Sequence, residues 1–141
     1  TALVFFMVPG LALFYGGMTR RKNVLSTLMQ CIIVVCLISV QWVLFGYTLA
    51  FGPDSGFGVL GNLDFICLRN VDFNPFNEYS KTIPHLAFMI FQCMFAVITP
   101  ALVIGAFAER IKFSSFCIFS LLWATFVYDP IAHWIWGAGG W

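Results

Sequence analysis

The sequence predicts an all-α, polytopic membrane helix bundle with four transmembrane segments. Three observations carry that expectation. Apolar residue types make up 61% of the 141 residues and charged types only 9%, against about a quarter charged in soluble domains. Phenylalanine alone accounts for 17 residues, more apolar surface than a soluble domain of this size can hide, so the solvent is lipid. Two basic clusters, Arg20-Arg21-Lys22 and Arg110 with Lys112, are separated by two apolar runs. Both therefore fall on one side of the membrane, the cytoplasmic side by the positive-inside bias, which leaves the N-terminal end of the chain outside. The net charge of +1 comes with no basic patch suited to nucleic acid.

The first segment covers residues 1–19. Pro9 lacks the donor for the Phe5 carbonyl and predicts a kink, and Tyr15 lies near the segment's end, where tyrosine favours an interface. The second covers residues 23–52, with Asn23 as its expected cap. Gln30, Ser39, Gln41 and Thr48 interrupt it, as on a surface packed in protein. Residues 53–81 read as an ordered outer loop with short helical turns. Four acids against Arg69 and Lys81 give that loop two net negative charges.

The chain is organised around its third segment, residues 82–108, which carries no formal charge. As a helix it measures about 40 Å, enough to cross a hydrocarbon core with tilt. Pro84 is expected in its first turn, and Pro100 frees the Ala96 carbonyl. Ala101, Gly105 and Ala108 form a small-residue strip for close helix contact. The fourth segment covers residues 113–136, with Ser114 and Ser115 as candidate caps. Tyr128-Asp129-Pro130 breaks it, and Asp129 is expected to cap a short second helix or to serve as a structural partner. A carboxylate in a membrane segment is also a functional candidate.

Phe88, Phe91, Gln92, Phe95 and Thr99 share one helix face. Gln92 either bonds a neighbouring helix or faces a pore. With His85, Tyr128, His133, Trp134 and Trp136 they form an aromatic and histidine collection toward the outer side. Two readings fit it. One is an interface belt, which Trp134, Trp136 and Trp141 satisfy. The other is an aromatic funnel for a small, weakly hydrated cation, whose ring faces attract without trapping. A facing His85–His133 pair would instead suit haem or a metal in a membrane redox subunit. The five cysteines have no CxxC spacing; Cys31, Cys36, Cys93 and Cys117 read as small buried hydrophobes. No Ser-His-Asp, Walker or HExxH pattern appears, so hydrolase or ATPase chemistry is not expected, nor is any cofactor. Both ends look cut, as in part of a longer membrane protein.

Four strings are more specific: PGLALFYGG from Pro9, RKNVLS from Arg21, TPALVIGAFAER from Thr99 and DPIAHWIWG from Asp129. In order and spacing they resemble the first part of an ammonium transporter of the Amt/Mep/Rh family, over nearly the whole chain. The resemblance implies part of a single eleven-helix domain, assembled as a homotrimer in the cell membrane with one pore per protomer. It implies an outer ammonium site with Phe95 and Trp136, flanked by Phe91 and Tyr128. It makes Phe95 the outer ring of a two-phenylalanine pore gate and brings Tyr15 near the inner vestibule. The implied mechanism is capture of ammonium, loss of a proton and passage of ammonia through a narrow apolar pore. A sensor of the same fold is the rival, and a regulatory protein at the cytoplasmic face is an implied partner. The family's second gate phenylalanine, outer-site acid and pore histidines fall on later helices. His85, His133 and Asp129 do not match them.

Overall fold

In the computed structural model, which describes residues 1–56, 58–76 and 78–140, the apolar runs fold as helices in the expected order. These are α1 (Ala2–Met18), α2 (Val24–Gln41), α3 (Tyr47–Phe51), α4 (His85–Phe107), α5 (Phe113–Trp123) and α6 (Asp129–Trp136). α2 runs into α3 through one π turn, Trp42–Gly46, and α5 into α6 through another, Ala124–Tyr128. Among the described residues, three helical runs, Arg21–Phe51, His85–Phe107 and Phe113–Trp136, are long and apolar enough to cross a membrane. Ala2–Met18 is a shorter apolar helix of 17 residues, about 25 Å long. It is the first of the four expected segments and lies at the short end of spanning length. Trp141 of the expected belt lies outside the described residues.

The run of α2 is the hub of the bundle, packing against α1, α4 and α5, while α3 packs against α6. Cys31, Val34, Ile38 and Trp42 are fully buried along it, and their spacing of three to four residues puts them on one helix face. Trp42 Nε1 donates to the Met89 carbonyl of α4 at 3.3 Å. Much of the rest of the surface is apolar, with Leu3, Phe6, Leu13, Leu25 and Phe126 among its exposed side chains. Such a surface suits lipid or further helices, not water.

Several local expectations are corrected. α4 begins at His85, not Thr82, because proline disfavours helical backbone at the residue before it. Residues up to Pro84 instead form β2 (Ser80–Pro84), paired antiparallel with β1 (Pro75–Phe76). The loop thus holds a small hairpin as well as the expected short turn, Ile66–Leu68. Asn23 makes no side-chain cap; it ends a short 3₁₀ turn, and its carbonyl accepts from the Thr27 hydroxyl at 3.1 Å. Ser114 and Ser115 lie inside α5, which starts at Phe113 without a side-chain cap. Pro9 lies inside α1, as expected.

Asp129 does not cap a separate helix. The chain stays helical through Pro130 because the turn before it widens, with the Asp129 N–H bonding the Ala124 carbonyl five residues back. Asp129 is instead a structural partner. It is fully buried, and its Oδ2 accepts from Gln41 Nε2 at 2.6 Å, joining the two long rods beside their π turns.

At the end of the bundle carrying the basic clusters, Glu109 accepts the backbone N–H of Arg20 at 2.8 Å. The corners after α1 and α4 therefore meet on one end, as the charge pattern requires. That N–H, with the Asn23 side chain and the nearby cations, holds the Glu109 carboxyl below its usual range. Tyr15 crosses from α1 to α4, its hydroxyl donating to the Leu102 carbonyl at 2.7 Å. Its ring lies against Gly105, where an added Cβ would come within 2.8 Å, so the small residue permits the close approach.

Candidate functional site: an aromatic cavity

A cavity of about 490 Å³ opens between α4 and α6. α4 supplies Phe91, Gln92, Phe95 and Thr99, spaced over two helical turns on one side of the helix. The α5–α6 rod supplies Tyr128, Ile131, Ala132, Ile135 and Trp136, and Phe51 comes from the end of α3. The four aromatic residues singled out in the sequence, Phe91, Phe95, Tyr128 and Trp136, are thus brought together. Gln92 lines the same space, which favours a cavity-facing role over a bond to a neighbouring helix.

Phe91 and Phe95 meet edge to face, their centroids 5.1 Å apart, an arrangement in which the positive edge of one ring meets the negative face of the other. Phe95 is 37% and Trp136 67% exposed, so both rings keep surface for a ligand. Tyr128 is held from behind by Trp42, with centroids 6.1 Å apart. Among the described residues, the polar lining side chains are Gln92, Thr99 and Tyr128, and no formally charged residue lines the space. The Thr99 hydroxyl donates to the Phe95 carbonyl at 2.7 Å, leaving its oxygen able to accept. The arrangement offers aromatic faces and neutral oxygen acceptors, which suits a small cation with N–H donors.

Other members of the aromatic collection go elsewhere. Phe88 does not line the cavity. It stacks on Tyr79 at 5.6 Å and meets Phe51 edge-on at 5.4 Å, beneath the loop. Trp134 Nε1 donates to the Val59 carbonyl at 2.9 Å. His85 is buried, bonded through Nε2 to the Tyr47 hydroxyl at 2.6 Å and stacked on Phe76. His133 is buried with its Nδ1 3.0 Å from the Ala50 carbonyl, and its Nε2 lies 3.7 Å from Asp54 Oδ1. The two histidines therefore have separate partners, and among the described residues no group of three or more His, Cys, Asp and Glu could hold a metal.

Sequence reasoning missed Phe51, Ile131, Ala132 and Ile135. The last three were legible in principle, since they share a helix face with Trp136. Phe51 had no such signal, because it arrives from the far end of another rod.

A bundle of long apolar helices with an aromatic cavity between two of them defines the chain as part of a membrane protein. The sequence matches the Ammonium Transporter Family over residues 1–141, and the chain belongs to that family. It is 56% identical over 139 residues to an ammonium transporter of Bacillus subtilis strain 168, covering 99% of this chain and 33% of that protein. The fold is similar to the crystal structure of Saccharomyces cerevisiae Mep2, with a TM-score of 0.88 and 40% identity, over 99% of this chain and 31% of that one. A solved structure titled Sensor Amt Protein shares the fold at a TM-score of 0.84 and 24% identity, over 96% of this chain and 31% of that one. The chain spans about a third of the length of the curated relatives it matches.

Proposed function

We propose that this chain is the first part of a single ammonium transporter domain, and that its aromatic cavity is the outer capture site. The observation that carries the reading is the convergence of Phe91, Phe95, Tyr128 and Trp136 on one space without formal charge. Each ring face presented to ammonium contributes about 0.5 to 2 kcal/mol. The oxygens of Gln92 and Thr99 accept N–H bonds from the bound ion. Within this chain's share of the site the attraction comes from ring faces and neutral oxygens rather than from a fixed charge.

The ion then gives its proton to solvent water at the open mouth of the cavity, and neutral ammonia enters a narrow apolar pore beneath Phe95, the outer ring of its gate. Potassium has no proton to lose and is rejected. Tyr15, between α1 and α4, borders the inner vestibule. The remaining pore wall, with the second gate ring, the outer-site acid and the pore histidines, belongs to the later helices of the full-length protein. That protein is a homotrimer in the cell membrane with the start of this chain outside. Its basic corners at Arg20 and Arg110 face the cytoplasm, where a regulatory protein docks.

Uptake of labelled methylammonium by the full-length protein tests the function. The expected result is saturable flux that ammonium inhibits and potassium does not. Saturable binding without flux would instead make the protein a sensor of the same fold.

A further inference from the structure

The loop between α3 and α4 holds both sides of Trp136. Before it, the Val59 carbonyl of the loop accepts the Trp134 indole N–H at 2.9 Å, while the Ala50 carbonyl, at the end of α3, bonds His133. After it, the Tyr79 hydroxyl oxygen accepts the backbone N–H of Ala138 at 2.6 Å. Asp54 packs under Gly139, whose added Cβ would lie 2.8 Å from the Asp54 Cβ. The Trp136 ring, between these anchors, is 67% exposed and lines the cavity.

The segment that Tyr79 grips is a glycine-rich turn, closed by the Gly137 N–H on the His133 carbonyl at 2.9 Å and the Gly140 N–H on the Gly137 carbonyl at 3.2 Å. α6 ends at Gly137, where the backbone turns extended with ψ 147°. Three of the four residues from Gly137 to Gly140 are glycine, the residue with the most backbone freedom to lose. Tyr79 itself is well placed to restrain it. Its ring stacks on Phe76 and Phe88 and meets Phe51 at 90° with centroids 5.4 Å apart. Phe51 is also a wall of the cavity. Burial raises the pKa of the Tyr79 phenol, against the opposing pull of the Ala138 N–H, so at neutral pH it stays uncharged.

We propose that Tyr79 is a positioning residue of the aromatic cavity: by holding the Ala138 N–H, its hydroxyl fixes where the Trp136 ring stands. The inference rests on the reading of the cavity as an ammonium site. Loss of the hydroxyl leaves the ring stack intact and frees the glycine turn, so Trp136 samples orientations in which its face no longer meets the ion.

The test is methylammonium uptake by the full-length protein carrying Tyr79→Phe, Trp136→Leu or both, normalised to folded protein at the surface. Tyr79→Phe is expected to raise the half-saturating concentration about 2- to 10-fold, the worth of one hydrogen bond, with the maximal rate unchanged. In the Trp136→Leu background it should change the half-saturating concentration no further. A merely structural role would lower the amount of protein or the maximal rate and leave apparent affinity alone. Unchanged affinity in Tyr79→Phe, or a double variant equal to the product of the singles, overturns the proposal while leaving the ammonium site standing. Unchanged affinity in Trp136→Leu overturns both. Tyr79→Leu, which removes the ring as well, should weaken affinity at least as much as Tyr79→Phe.

Discussion

Phe95→Ala in the full-length protein is expected to weaken apparent affinity for methylammonium and also to change what passes. The ring does two things at once. Its face contributes one cation–π contact, so its removal should cost about 2- to 30-fold in affinity. On the proposed reading its bulk also closes the floor of the cavity, which it lines with Phe91 one turn before it and Thr99 one turn after it. Replacement by a methyl group opens that floor, and water can then enter a path that must stay dry for neutral ammonia to be favoured over an ion. Half-saturation and potassium conductance should be measured on the same preparation. The expected result is a raised half-saturating concentration together with a new potassium leak. Weakened affinity without a leak would keep Phe95 in the site and remove it from the gate.

Gly61→Ala should be the most damaging small substitution in the loop. Gly61 bridges back to Asp54, and its N–H bonds the Leu49 carbonyl at 2.9 Å. An added Cβ would lie 2.3 Å from the Thr48 carbonyl oxygen and 2.9 Å from the Gly52 backbone. These are main-chain atoms at a helix end, so no side chain can swing away. Thr48 is itself committed, its hydroxyl donating to the Asn62 carbonyl at 2.7 Å and accepting from the Phe65 N–H at 3.1 Å. Forced expansion at such a point costs about 3 kcal/mol, roughly a hundredfold in the folded-to-unfolded ratio. Thermal unfolding of the detergent-purified full-length protein should show a clear fall in Tm and yield. A wild-type Tm would mean that the loop does not pack on the α3 end as described.

The apolar runs were legible because lipid leaves so blunt a mark on composition: 61% apolar types and 17 phenylalanines in 141 residues. The pairing of the two basic corners was legible for the same reason, and the Arg20–Glu109 contact realises it. The two π turns were not legible, since a widened turn has no residue signature of its own. Pro130 announced a break where the helix in fact absorbs the proline. The role of Asp129 depended on Gln41, 88 residues earlier in the chain, and no local spacing connects them. Helical periodicity grouped Phe88 with Phe91 and Phe95 correctly by face. It could not show that Tyr79 and Phe51 would claim Phe88 for the loop while the next turn faced the cavity. Phe51 entered the cavity wall from a third element and left no trace in the α4 and α6 patterns.

The central claim is that rings lining the cavity meet ammonium rather than lipid. Trp136 is its most direct test, because it lies at the rim, largely exposed, and its loss need not open the pore. The measurement is concentration-dependent methylammonium uptake by full-length Trp136→Leu, corrected for folded protein at the surface. The account predicts an apparent affinity weaker by about 2- to 30-fold, the worth of one cation–π contact, with the path still closed to potassium. An unchanged affinity, with only the amount of folded protein reduced, would contradict it and return Trp136 to the membrane interface.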